Sequence, residues 1–143
     1  MTWRRVIIHH SAGSDDEGPQ TQAYRRYHVG VRGWRDLGYH FVCELVGAGY
    51  EVLAGRPLNM GGAHTRGHNS DAIGFCFAGN FELEDPDPEQ LAVGARFLAG
   101  LMDCLEIPSA EIYPHNDFRP TDCPGKNLNI AELIQLVDRY RIS

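Results

Sequence analysis

The chain of 143 residues has no long apolar run, no Cys-x-x-Cys pair, no internal repeat and no surplus of positive charge. Each gap excludes a class of protein. No apolar stretch approaches the roughly 18 residues a membrane-spanning helix needs, so no membrane insertion is expected. The basic opening Met1-Thr2-Trp3-Arg4-Arg5 leads only into Val6-Ile7-Ile8, which stops at His9-His10. That run reads as a strand, too short for the core of a secretion signal. The expectation is therefore a chain made in the cytoplasm without such a signal. With 19 acidic and 13 basic residues the formal charge is −6, which argues against a general nucleic-acid binder. The four cysteines, Cys43, Cys76, Cys104 and Cys123, are widely spaced. In a chain without an export signal they are expected as reduced thiols, either buried or ligating metal.

What is present is ordinary for a globular domain: 43% apolar and 22% charged residues, in a length that buries roughly two-thirds of the unfolded chain's surface. Strand-like and helix-like segments alternate. Val6-Ile7-Ile8 is β-branched and wholly apolar, as in a buried central strand. Ser11 to Pro19 reads as a loop and Thr21 to Val29 as a helix stopped by Gly30. Tyr39–Val46 and Tyr50–Ala54, parted by Gly47-Ala48-Gly49, predict a hairpin. Ile73, Phe75 and Phe77 alternate along a strand over Asp71–Ala78. Asp87-Pro88-Glu89-Gln90 predicts a helix start, with Asp87 as cap, Pro88 in the first turn and Gln90 as capping-box partner. Leu91, Ala95, Leu98, Leu101, Met102 and Leu105 continue it at helical spacing. Ile112-Tyr113 opens a short strand, and Ile130, Leu133, Ile134 and Val137 mark a last amphipathic helix. The fold class is thus a single α/β domain spanning residues 1–143. A mixed central sheet of about five or six strands is expected, flanked by about three helices.

Three residues stand out chemically: His9 at the end of the first strand, His115 just after the late strand, and Cys123 beyond a turn-prone loop. Imidazole nitrogen and thiolate sulfur suit zinc, and three such ligands leave a tetrahedral ion one position for water. A surface histidine and a small buried thiol are the alternative that spacing alone leaves open. His9 and His10 point to opposite faces of a regular strand, so at most one of them ligates from it. His40 reads as structural, His28 as packing and His68 as solvated. Cys43, Cys76 and Cys104 read as buried free thiols. Arg56, Arg66 and Arg119 offer forks for carboxylates, or are solvated surface arginines.

Five blocks carry a family resemblance. They are Val6-Ile7-Ile8-His9-His10-Ser11-Ala12; Gly38-Tyr39-His40-Phe41; Gly62-Ala63-His64-Thr65-Arg66-Gly67-His68-Asn69-Ser70; Ile73 to Phe81; and His115-Asn116-Asp117-Phe118-Arg119-Pro120-Thr121-Asp122-Cys123-Pro124-Gly125. Together they resemble the N-acetylmuramoyl-L-alanine amidase type 2 family, which includes phage lysozyme-type amidases and animal peptidoglycan recognition proteins. The resemblance implies that His9, His115 and Cys123 hold Zn2+, that Tyr39 and Thr121 are catalytic, and that His64, Arg66 and Asn80 bind substrate. Thr121 stands where phage enzymes of this type often carry lysine, so a hydroxyl replaces an ammonium as the group beside the oxyanion.

The implied activity is hydrolysis of the amide between the lactyl group of N-acetylmuramic acid and L-alanine of peptidoglycan, as in a phage or prophage endolysin. The implied partner is bacterial peptidoglycan or a muropeptide, met by a monomer at the cell wall after release. A cytoplasmic muropeptide-recycling amidase is the alternative enzyme, although such enzymes usually carry aspartate where Cys123 stands. A peptidoglycan-binding sensor without catalysis is the alternative from another class; non-catalytic members typically lose that cysteine.

Overall fold

The computed structural model describes residues 2–12 and 38–142. Among them, five strands form one mixed sheet: β1 (Arg5–His10), β2 (Phe41–Val46), β3 (Gly49–Ala54), β4 (Ala72–Phe77) and β5 (Ile112–Pro114), in the spatial order β3-β2-β4-β1-β5. The apolar run of β1 takes a central place, parallel to β4 on one side and to β5 on the other, with Val6 level with both Ile73 and Ile112. Such a strand is covered on both faces, which is why it shows little polar alternation. The β2–β3 hairpin is antiparallel and turns through Gly47-Ala48 as its sequence predicts.

Period-two geometry sorts β1 and β4 between two environments. Val6 and Ile8 join Ile73, Phe75 and Phe77 in the main core, beneath helices α1 (Pro88–Leu105) and α2 (Ile130–Tyr140). Leu91, Ala95, Leu98 and Met102 of α1, with Leu133 and Val137 of α2, close that core. Each fully buried large side chain there contributes about 1.5–3 kcal/mol relative to exposure. On the opposite face Cys76, level with His9, packs with Val42, Ala78 and the ring of Tyr39. The two faces are thus an apolar side under the helices and a side that carries the polar rings.

Both helices start as their caps dictate. Asp87 accepts the Glu89 N–H at 2.8 Å, and Asn129 accepts the Glu132 N–H at 3.1 Å. Two details differ from expectation. Gln90 does not return to the cap: its fully buried amide donates to the carbonyls of Cys43 at 3.1 Å and Ala78 at 2.8 Å. The carbonyls it meets are buried acceptors, and satisfying them outweighs closing a capping box at an exposed helix start. Cys104 is exposed, because it shares the outer stripe of α1 with Arg96 and Gly100 at four-residue spacing. The helix predicted over Thr21 to Val29, with most of the loop before it, lies outside the described residues. The described part holds two α-helices and two short 3-10 turns, Ser109–Glu111 and His115–Asp117.

Candidate metal centre

His9 leaves β1 on the polar face and is 1% exposed. β5 runs parallel beside β1, with Ile8 level with Pro114. That register delivers the next residue, His115, to the neighbourhood of His9, and the two ring centroids are 4.4 Å apart. Cys123 arrives from the loop after it. Its Sγ lies 3.6 Å from His9 Nδ1 and receives the His10 backbone N–H at 3.3 Å. Ligand atoms of His9, His115 and Cys123 all lie within 4.8 Å of one another.

The loop is held in place by backbone contacts. Asn127 N–H donates to the Phe81 carbonyl at 2.8 Å, and Lys126 N–H to Glu82 Oε1 at 2.6 Å. Gly125, at φ 99°, sits so close that an added Cβ would lie 2.4 Å from the Phe81 carbonyl carbon. Only glycine fits there, which accounts for its place two residues after Cys123.

Burial sets the proton states. It drives His9 well below its ordinary value, with His64, His115 and His10 adding smaller effects in the same direction. Burial, then Arg119 and His10, lower His115. Both rings are therefore neutral and keep a lone pair for a metal. Burial pushes the Cys123 thiol up to about 12, against the His10 N–H that favours the thiolate. Burial, then Cys76 and Cys123, hold the Tyr39 phenol well above its usual range. Tyr39 thus stays protonated beside His9, their ring centroids 4.9 Å apart.

The remaining residues singled out in the sequence fall in several places. Thr121 Oγ1 accepts the Cys123 N–H at 3.2 Å, which leaves its own O–H proton for another acceptor. Arg66 and Arg119 are exposed, and Arg56 donates to the Gly61 carbonyl at 2.9 Å. Asn80 holds a turn: its Oδ1 accepts the Glu82 N–H at 3.2 Å and its Nδ2 donates to the Ala12 carbonyl at 3.5 Å. His64 is buried behind His9, both of its ring nitrogens engaged by protein groups, a different setting from the substrate contact expected of it. His10 turns to the core face and accepts the Phe81 N–H at 3.2 Å. His40 bridges Met60 and Gly74, at 3.1 and 3.0 Å. His68 is less solvated than expected, because Arg5 and Asp71 flank it at 3.2 Å and the tilted ring of Phe118 lies 4.5 Å from its own, centroid to centroid. Sequence reasoning passed over Thr65, Asn69 and Gly74, which surround His64; a glycine inside a strand was the available signal.

Two imidazoles and one thiol are a donor set that would leave a tetrahedral ion one position for water. The chain belongs to the N-acetylmuramoyl-L-alanine amidase family, whose profile matches residues 1–126. Peptidoglycan-recognition protein SC2 of Drosophila melanogaster is 34% identical over 129 residues, covering 86% of this chain and 68% of that protein. Among solved structures, the endolysin N-acetylmuramoyl-L-alanine amidase LysCS from Clostridium intestinale superposes with a TM-score of 0.80 at 29% identity, covering 96% of this chain and 85% of that one. A Drosophila PGRP-LB mutant in complex with tracheal cytotoxin superposes with a TM-score of 0.77 at 27% identity, covering 92% and 80% of the two chains.

The residues present fit a zinc ion. Zn–N and Zn–S distances of about 2.05 and 2.3 Å set a tetrahedral N···S edge of about 3.6 Å, and the His9 Nδ1 to Cys123 Sγ distance is 3.6 Å. His115 Nδ1 is buried without a hydrogen-bond partner, a costly state for a ring nitrogen unless something else engages it.

Proposed function

We propose that this chain is a zinc-dependent N-acetylmuramoyl-L-alanine amidase that hydrolyses the bond between the lactyl group of N-acetylmuramic acid and L-alanine of peptidoglycan. The observation that carries the reading is the convergence of His9, His115 and Cys123 ligand atoms within 4.8 Å, two of them neutral imidazoles. Those three residues would hold the ion. When bound, zinc supplies a Lewis acid for the scissile carbonyl and lowers the pKa of water in its open position towards about 7.

The chain's own residues do the rest. Tyr39, protonated and fixed beside His9, donates a hydrogen bond at the reacting centre. Thr121, its oxygen already holding the Cys123 N–H, turns its O–H towards the oxyanion. The His10 N–H offsets part of the charge on the Cys123 sulfur. Substrate is peptidoglycan or a muropeptide fragment, a reading supported by the recognition-protein relatives and the neighbour in complex with tracheal cytotoxin. An endolysin role, with action on the cell wall after release from the cytoplasm, is supported by the endolysin amidase neighbour.

Digestion of purified sacculi by the zinc-loaded protein tests this. New L-alanine amino termini without new sugar reducing ends, abolished by chelator and restored by zinc, are the expected result. Reducing ends without amino termini would replace the amidase by a glycosidase. Binding to sacculi with neither product would leave a sensor and overturn the catalytic reading.

A further inference from the structure

The polar face of the sheet contains a second histidine that touches no ligand position, and its surroundings are built with more care than packing needs. His64 Nε2 lies 2.9 Å from the Ala72 carbonyl oxygen. A carbonyl only accepts, so that nitrogen carries the proton, and in a neutral ring Nδ1 is then an acceptor. The ring is buried, and a charge placed there would be costly. His64 Nδ1 in turn lies 3.0 Å from His9 Nε2, so His9 Nε2 is the donor there. Thr65 Oγ1 stands beside the same bond, 3.0 Å from His64 Nδ1 and 3.4 Å from His9 Nε2. The proton order runs from His9 to His64 to the Ala72 carbonyl. The lone pair of His9 is left on Nδ1, the atom 3.6 Å from Cys123 Sγ.

The ring of His64 is held by a cradle. Asn69 Oδ1 accepts the backbone N–H of both His64 and Thr65, at 2.8 and 2.9 Å. A Cβ on Gly62 would come within 2.4 Å of His64 Cδ2, and one on Gly74 within 2.6 Å. Gly74 sits in the middle of β4, where glycine costs about 0.5–1 kcal/mol against alanine. The space its missing side chain leaves is filled by His64.

We propose that His64 is a positioning residue for the metal centre: by accepting a hydrogen bond from His9 Nε2–H and donating its own Nε2–H to the Ala72 carbonyl, it fixes the His9 tautomer so that Nδ1 is the metal ligand. This rests on the metal reading above. A ligating histidine whose other nitrogen has a fixed partner binds metal about 10- to 100-fold better than one without.

The test has two parts. In the metal-free wild-type protein, long-range 1H–15N NMR should show His9 as the Nε2–H tautomer; a predominant Nδ1–H form would overturn the proposal without any variant. Zinc affinity, measured by competition with a chelating dye, should then fall at least about 10-fold in His64→Phe, which keeps a ring and loses the acceptor. His64→Asn, whose carboxamide oxygen approximates Nδ1, should recover most of that loss. Should His64→Phe not fold, Gly74→Ala shifts the ring while keeping the imidazole, and the same fall in affinity is expected of it. Wild-type zinc binding with unchanged affinity and His9 tautomer in these variants overturns the proposal and leaves the amidase reading intact. Failure of the wild-type chain to bind zinc at all overturns both.

Discussion

Metal loading should release clearly fewer protons per zinc at pH 6.0 than the roughly two and a half that unperturbed ligands would release. The difference comes from burial. At that pH an imidazole with a pKa of about 6.5 is roughly three-quarters protonated, and an ordinary thiol is wholly protonated. Two such histidines and one such cysteine would all shed protons to a metal. Here His9 and His115 titrate below their ordinary value because charging them inside the protein is costly. They hold fewer protons at pH 6.0 than free imidazoles do and so have fewer to give. The Cys123 thiol, pushed up to about 12 by the same burial, still holds its proton and must lose it to ligate. A water in the open position, with a pKa near 7, adds only about a tenth of a proton. Calorimetric titration in three buffers of different ionisation enthalpy yields the number directly. Apparent affinity should also rise with pH, because the Cys123 proton must leave before the sulfur can ligate. A measured release as large as the roughly two and a half protons of unperturbed ligands would refute the assignment of depressed histidines to this centre.

Cys123→Ser should abolish zinc retention, read by atomic absorption after dialysis, and hydrolysis with it, while binding to muropeptide largely remains; full turnover by this variant would contradict the proposed centre. Thr121→Val should lower kcat about 10²- to 10³-fold with little change in KM, as for loss of one oxyanion donor, and unchanged kcat would remove Thr121 from the chemistry. The metal-free protein should lose stability in mild acid. His9 and His64 are buried neutral, with pKa values depressed below the unfolded 6.5 and that of His64 lowered to about 3. Their contribution is therefore present above pH 6.5 and declines as pH falls towards those depressed values. Between pH 7 and 5.5 the His64 ring alone costs about 1.2 kcal/mol, with His9 adding in the same direction, measurable by urea unfolding, and equal stability at the two pH values would contradict their burial as neutral groups.

Much of the frame was readable because its signals are local. Val6-Ile7-Ile8 and the alternation of Ile73, Phe75 and Phe77 announce strands through β-branching and period two. Asp87-Pro88 announces a helix through its cap, and the structure uses both. His9, His115 and Cys123 stood out by residue type, and the structure brings them together because β5 pairs in parallel with β1. What local reading missed depends on neighbours distant in sequence. Gln90 looks like a cap partner until the carbonyls of Cys43 and Ala78 are placed beside it. Cys104 looks like a buried thiol until α1 is rotated onto the sheet. His64 looks like a ligand contact in an open glycine-rich loop. Only the close approach of β4, through Gly74, turns it inward to His9.

The sulfur and the imidazole it faces are 114 positions apart in the chain, and β1, which carries His9, gains β5, which leads into His115, as a neighbour only after the latter has been laid down. On the proposed reading, all three ligands are therefore available only once the chain has been made through Cys123. Fragments ending short of the Cys-Pro-Gly turn are expected to be silent and not weakly active, and on that reading metal uptake would serve as a readout of completed folding.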